Sequence, residues 1–256
     1  MRHLFHASLA VMESAFPHLE CQVPPPQQKK WRDGYVFRYV EQSIHQALIL
    51  KLTRSISSLR AIDILLSHGQ LQEQATLHRV LDEIHEDISF LALALTTGNT
   101  TDLHKKYLTA FFAEEFPNPK NTLARHKKPD MPPRRKIRSY SINIHDHQNP
   151  SLIHDVGETI SSVYSGYIHA SAPQIMDMYG GKPAHFYLSG MKGTPRINEH
   201  IDDAWNYFYR ALMSIGLIAK AFGDKELNNN ISQYLTLFEE KSGSRVDSYP
   251  PSSAPK

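Results

Sequence analysis

"LQEQATLHRVLDEIHEDISFLAL" (71–93) is the stretch whose reading decides the fold. Leu77, Leu81, Ile84, Ile88, Leu91 and, just beyond it, Leu95 recur at three- and four-residue steps. That is the period of a helix with one apolar face. It predicts a helix from about Leu71 to Leu95, stopped by "TTGNTT" (96–101). At about 100° per residue, Arg79, Glu83, Glu86 and Phe90 fall on the face opposite the stripe.

Upstream, Phe37, Val40, Ile44, Leu48, Leu52, Ile56, Leu59, Ile62 and Leu66 keep the same step. They predict one long helix from Gly34 to "SHG" (67–69), with Gly69 suited to its C-terminal cap. Two long helices joined by so short a turn must lie antiparallel. Downstream, "DLHKKYLTAFFAEEF" (102–116) predicts a third helix, ended by Pro117. Another starts at Asn149-Pro150 and reaches about Ser171, with Ile153, Val156, Ile160, Val163, Tyr164 and Tyr167 as its apolar side. A fifth runs from Thr194-Pro195 to Gly223, and "DKELNNNISQYLTLFEEKSG" (224–243) forms a last one. "SYSINIHDHQ" (139–148) reads as a short strand or extended lead-in, and "YGGKPAHFYLSGMKGTP" (179–195) as a glycine-rich loop. The expected class is all-α: an antiparallel bundle of about five to six helices.

Beside that body, residues 1–33 read as an N-terminal arm: one short helix that packs back onto the body, then the proline-rich spacer "QVPPPQQKKWRD" (22–33). The body spans 34–241, and the tail 242–256 is too polar and proline-rich to fold. At 256 residues, 41% hydrophobic and with net charge +2, the chain suits one domain. A lone cysteine, Cys21, excludes an intrachain disulfide. In "MRHLFHASLAVMESAF" (1–16), His6 interrupts the apolar run and Glu13 closes it, unlike a secretory leader. No run approaches the roughly 18 apolar residues of a membrane span. A cytoplasmic location without membrane contact is the expectation.

Charge is uneven. Residues 117–139 hold eight basic side chains, Lys120, Arg125, Lys127, Lys128, Arg134, Arg135, Lys136 and Arg138, against one acid, Asp130. This +7, five-proline segment reads as a basic loop inserted in the body, continuing to residue 148. Such a segment can neutralise phosphates and bind RNA with strong salt dependence; a solvated linker is the plain alternative.

Other constellations are weaker. The two central helices each carry a compact polar face, Arg79 and Glu83 on one, Glu158, Ser162, Ser165 and His169 on the other. These faces are either solvated or turned toward each other across the body or a dimer. "HDHQNPSLIHD" (145–155) offers His145, His147 and His154 as metal ligands, yet neither His-Glu-x-x-His nor paired Glu-x-x-His helices occur. No metal or other cofactor is expected. Ser165 and His169 lack a nucleophile elbow, and "YGGKP" lacks the Gly-Lys-Ser/Thr of a phosphate loop.

The stretch "GQLQEQATLHRVLDEIHEDISFL" (69–91), with its Gly turn and Arg79-x-x-x-Glu83 pair, resembles the second helix of an uncharacterised prokaryotic helical-bundle family. "YSGYIHAS" (164–171) resembles that family's later segment, placing Tyr164, Ser165 and His169. The family is similar to the HEPN group, bundles associated with nucleotides and RNA in defence and toxin–antitoxin loci. The likeness covers roughly residues 35–100 and 150–172. It implies an Arg-x(4–6)-His motif, carried here by Arg79 and His85, with Val80 where a polar residue often follows the Arg. Any catalysis it implies is metal-independent ribonuclease action, with His85 as acid–base group and Arg79 on the phosphate. Arg79 and His85 lie about 120° apart on one helix, so a second copy of the chain would complete such a site. Two functions follow: an RNA-associated stress or defence factor, or a non-catalytic module binding a protein partner or small ligand.

Overall fold

A computed structural model describes residues 1–114, 129–144 and 149–243. Among the described residues the elements run α1 (Arg2–Glu20), β1 (Gln27–Trp31), β2 (Gly34–Arg38), α2 (Ile44–His68), α3 (Leu71–Thr97), α4 (Asp102–Phe112) and α5 (Arg134–Ile144). They continue as α6 (Pro150–Ile168), α7 (Ala172–Met176), β3 (Tyr179–Gly180), β4 (His185–Phe186), α8 (Arg196–Ala221) and α9 (Lys225–Ser242). The protein is mainly α-helical, as its periodicity predicts. No described helix is long and apolar enough to cross a membrane.

The turn between α2 and α3 requires glycine twice over. Gly69 caps α2 in the left-handed region, φ 74°, where a Cβ is strained. Its carbonyl also accepts a 2.7 Å hydrogen bond from the Met191 N–H. A Cβ there would lie 2.2 Å from the Lys192 nitrogen, so no side chain fits beneath that loop. Elsewhere the predicted boundaries fall where capping chemistry puts them. Asn149 Oδ1 accepts from the Leu152 N–H at 3.2 Å, and Asp224 Oδ1 from the Leu227 N–H at 2.9 Å.

Two expectations are corrected. The helix expected from Gly34 begins at Ile44, capped by Ser43, whose hydroxyl accepts from the His45 N–H at 3.1 Å. Residues 34–38 instead pair antiparallel with 27–31, Gln27 opposite Arg38 and Trp31 opposite Gly34, inside the expected spacer and helix. Phe37 and Val40 match the helical step by coincidence and stay in solvent, 55% and 60% exposed. The N-terminal arm is the 19-residue α1, and it packs back onto the core: Phe5, Leu9, Met12 and Leu19 are buried, and Phe5 stacks on Phe208 at 4.3 Å. The other correction is the segment read as basic loop and short strand, which is helical over 134–144, because Ile137 and Ile142 are buried against the body. Lys120, Arg125, Lys127, Lys128, His145, His147 and the tail from residue 244 lie outside the described residues.

Helix α3 is the hub, packed against α2, α5, α6 and α8. Its apolar stripe is inside as predicted, with Leu81, Ile88 and Leu91 fully buried. Its opposite face is largely covered rather than solvated. Phe90 is buried and stacks on the His104 ring at 3.9 Å, while that ring meets the Phe90 carbonyl at 3.2 Å. Asp87, its side chain 4% exposed, takes Lys51 Nζ of α2 at 2.6 Å on one oxygen and Arg134 of α5 on the other. Glu86 accepts from Arg138 Nη2 at 2.6 Å and Nε at 2.9 Å. Arg134 also donates to the Glu83 carbonyl at 3.2 Å. So α5 is held to α3 mainly by cation–carboxylate pairs withdrawn from water.

Breaking such a pair strands the remaining charges. Asp87→Ala, which leaves Lys51 and Arg134 without their acceptor, is expected to lower unfolding stability by about 3 kcal/mol in urea titrations. A loss below about 0.5 kcal/mol would mean that the two cations find water or other partners at no cost.

Candidate functional site

The side chains of α3, α6 and α8 meet along a buried polar stripe. On α3 it runs Gln74, His78, Asp82 and His85, one helical face at steps of four, four and three. On α8 it runs His200, Asp203, Tyr207 and Arg210 at steps of three and four. His200 Nδ1 lies 2.6 Å from Gln74 Oε1, and Gln74 Nε2 lies 2.6 Å from His78 Nε2. Since the amide oxygen can only accept and its NH2 only donate, His200 donates from Nδ1 and His78 accepts at Nε2. His78 then carries its proton on Nδ1, a buried atom with no partner.

Asp82 binds α8 twice, accepting from Arg210 Nη1 at 2.6 Å and from the Tyr207 hydroxyl at 3.2 Å. The Tyr207 ring stacks on His78 at 4.0 Å, and the Arg210 guanidinium lies 5.4 Å over that same ring. From α6, Tyr164 donates to Asp203 at 3.2 Å and meets His78 edge-on at 5.2 Å. Tyr167 donates to Asp177 at 3.3 Å. Burial, then the nearby carboxylates, pushes the phenols up: Tyr167 to about 12, Tyr164 and Tyr207 higher still. Burial likewise raises the Asp203 carboxyl and lowers His200. It holds His78 and His85 well below the usual imidazole value, reinforced for both by the Arg210 charge. The phenols and the His78 and His85 imidazoles are therefore neutral near pH 7.

The sequence-predicted residues divide between this stripe and a separate groove. Arg79 pairs with Glu83 at 2.8 Å, the two 19% and 46% exposed, a partly open surface pair of the weak kind expected. His85 is 4% exposed and neither ring nitrogen has a partner. Tyr164 belongs to the stripe. Helix α6 is turned from its expected orientation: Ile153, Tyr164 and Tyr167 face in, while Val156, Ile160 and Val163 remain exposed. Tyrosine hydroxyls that reach Asp203 and Asp177, together with bare Gly157 beside Arg138, decide which side packs. A Cβ at Gly157 would lie 2.7 Å from Arg138 Cζ.

That rotation brings Ser165 and His169 beside the described part of the basic segment. A groove of about 600 Å³ between α5, α6 and α7 is lined by Arg134, Arg135 and Arg138 and by Ser161, Ser162, Ser165, His169, Ser171 and Gln174, with Glu158 also present. His169 caps α6 and is exposed. Arg134 and Arg138 lend hydrogen-bond donors but spend much of their charge on Asp87 and Glu86; Arg135 and Lys136 are exposed. Hydroxyls, an amide, an imidazole and guanidinium groups suit an oxyanion ligand. Among the described residues no three His, Cys, Asp or Glu side chains gather as a metal site; His154 Nε2 instead meets Ser139 Oγ at 3.1 Å.

Sequence reasoning missed Gln74, His78, Asp82, His200, Asp203, Tyr207 and Arg210. The signal was present: polar residues at helical spacing on both α3 and α8 form a stripe as regular as the leucines. The chain matches no family model, no curated protein and no solved structure.

The two neutral histidines tie stability to pH. Above about 6.5, folded and unfolded chains alike leave them unprotonated. Below it the unfolded chain takes up protons that the fold refuses at His78 and His85, so stability falls as pH drops. The expected slope from this pair is about 1.4 kcal/mol per pH unit for each histidine, from about pH 6.5 downward. Urea titrations between pH 7 and 5 measure it, and His78→Gln should remove its own share, about 1.4 kcal/mol per pH unit. A flat profile would place these rings in contact with water.

Proposed function

We propose that the chain is an RNA-associated helical bundle that holds the sugar–phosphate backbone of single-stranded RNA in the α5–α6 groove, in keeping with its HEPN-like resemblance. The observation that carries this reading is the convergence of two independent sequence features on one concave surface. The described end of the basic segment supplies Arg134, Arg135 and Arg138, and α6 supplies Ser161, Ser162, Ser165 and His169. Phosphate contacts from guanidinium and hydroxyl donors position a strand without reading its sequence. Lys120, Arg125, Lys127 and Lys128 would add charge from the same segment, and the reading assigns them to non-specific attraction.

Two facts favour binding over cleavage. Arg79 is engaged by Glu83, and His85 lies on the buried side of α3 with a depressed pKa, poorly suited to proton transfer with a solvent-borne strand. A role in stress or defence follows from the resemblance alone and belongs to this proposal.

Fluorescence anisotropy with a labelled oligouridylate tests the reading. Binding at low salt should weaken steeply as salt rises, and Arg135→Glu should lower the slope of log K against log salt by at least about one. The labelled RNA should stay intact throughout. No affinity at low salt, or affinity indifferent to Arg135→Glu, would overturn the groove, and degradation abolished by Arg79→Ala would restore the ribonuclease reading.

A further inference from the structure

Helix α5 has a second concave surface behind it. Arg138 lines both, its guanidinium between the groove and a cleft of about 530 Å³ bounded by α3, α5, α6, α8 and α9. That volume is in the range of small-molecule pockets. His85 forms part of its wall, 4% exposed, with both Nδ1 and Nε2 buried and unpartnered. The Ser141 hydroxyl, from α5, lines the same cleft and is likewise buried without a partner. Buried polar atoms almost always have partners, so two such groups meeting at one cavity point to something that pairs with them there.

We propose that this cleft binds a small aromatic carboxylate whose ring bears a hydroxyl or N–H, with that polar end on His85 and Ser141 and the carboxylate toward Lys220 and Arg210. Each part of the ligand answers a part of the wall. A neutral imidazole presents one donor and one acceptor, and a serine hydroxyl presents both, so the inner end calls for a group that both donates and accepts. Burial keeps the His85 imidazole neutral, so the ring itself offers an anion no charge to pair with. Ile142, Ile153, Leu217 and Leu235 supply apolar walls fit for a ring.

The charged end follows from α8. Arg210, Met213, Leu217 and Lys220 fall on one face at steps of three and four, and all four line the cleft. Lys220 is exposed, and Arg210 gives one nitrogen to Asp82 while its side chain stays 36% exposed. Cations at two points of an apolar track suit a carboxylate. Glu86, the acid in the lining, is already occupied by Arg138. Neither the site nor its ligand depends on the RNA reading.

Calorimetric titration of the full chain with 4-hydroxyphenylacetate tests the proposal. Saturable one-to-one binding is expected. Phenylacetate, lacking the hydroxyl, should bind about tenfold more weakly. Tyramine, with an ammonium in place of the carboxylate, should not bind. On addition of 4-hydroxyphenylacetate to 15N-labelled protein, the side-chain nitrogens of His85 should shift, a readout that needs no variant. Leu217→Trp, which fills the cleft from its apolar wall, should abolish binding with an unchanged circular dichroism spectrum, and Lys220→Glu should weaken it. No saturable binding at millimolar ligand, equal affinity for phenylacetate, unmoved His85 nitrogens, or binding that survives Leu217→Trp would each overturn the site. Oligouridylate binding measured in parallel keeps failure here separate from failure of the groove.

Discussion

The architecture depends on three carboxylates carried by one helix. Asp82, Glu86 and Asp87 of α3 all point into neighbouring helices and meet cations from three of them: Arg210 of α8, Arg134 and Arg138 of α5, and Lys51 of α2. A charge taken out of water is costly until it is paired, and costly again if the pair is broken. The arrangement thus specifies geometry more than it adds stability. Leucine stripes would tolerate a helix sliding by a turn; a carboxylate that must reach one guanidinium does not. Helix α5 shows this best, since it buries only Ile137 and Ile142 of its own and owes its placement to Glu86 and Asp87.

Much of this was legible in sequence, but not the parts that matter most for the site. The α2–α3 turn at Gly69 and the caps at Asn149 and Asp224 are local events, set by a few neighbouring residues, and they fall where those residues predict. What failed was the inference from charge to exposure. Glu86 and Phe90 share a face of α3, where the charge suggests solvent and the phenyl ring suggests burial. In the fold Phe90 stacks on His104 and Glu86 is paired with Arg138, because helix α4 and helix α5 cover that face. The arginine that pairs with Glu86 lies 52 residues downstream, and no window on α3 contains it. Phe37 and Val40 failed for a different reason. A run spaced at three and four looks helical even where a Ser43 cap stops the helix short and the residues before it pair as strands.

The polar face of α6 has other neighbours than the sequence pattern suggests. Ser165 and His169 were grouped with Arg79 and Glu83 on the premise of facing polar surfaces, yet their neighbours are Arg134, Arg135 and Arg138. The rotation of α6 makes that neighbourhood. Tyr164 and Tyr167 pack inward because their rings can stack while their hydroxyls reach Asp203 and Asp177, which Val156 and Ile160 cannot do. Once the tyrosines are inside, helical geometry carries the serines of the same helix toward α5.

His85 shows how position changes the meaning of one residue. On a surface helix, an Arg and a His six positions apart suggest acid–base chemistry on a bound phosphate. Here the same His is sealed behind α3, held neutral, and faces apolar side chains of α5, α6, α8 and α9 across a cleft. A neutral, desolvated imidazole is a poor proton shuttle for a polymer in water, but it is a selective hydrogen-bonding group for a small molecule that can enter. Arg138 stands between that cleft and the basic groove, pinned by Glu86 and by the bare backbone at Gly157. Any ligand that draws Arg138 away from Glu86 therefore reshapes both surfaces at once, and its effect on the second site follows from how far that one guanidinium moves.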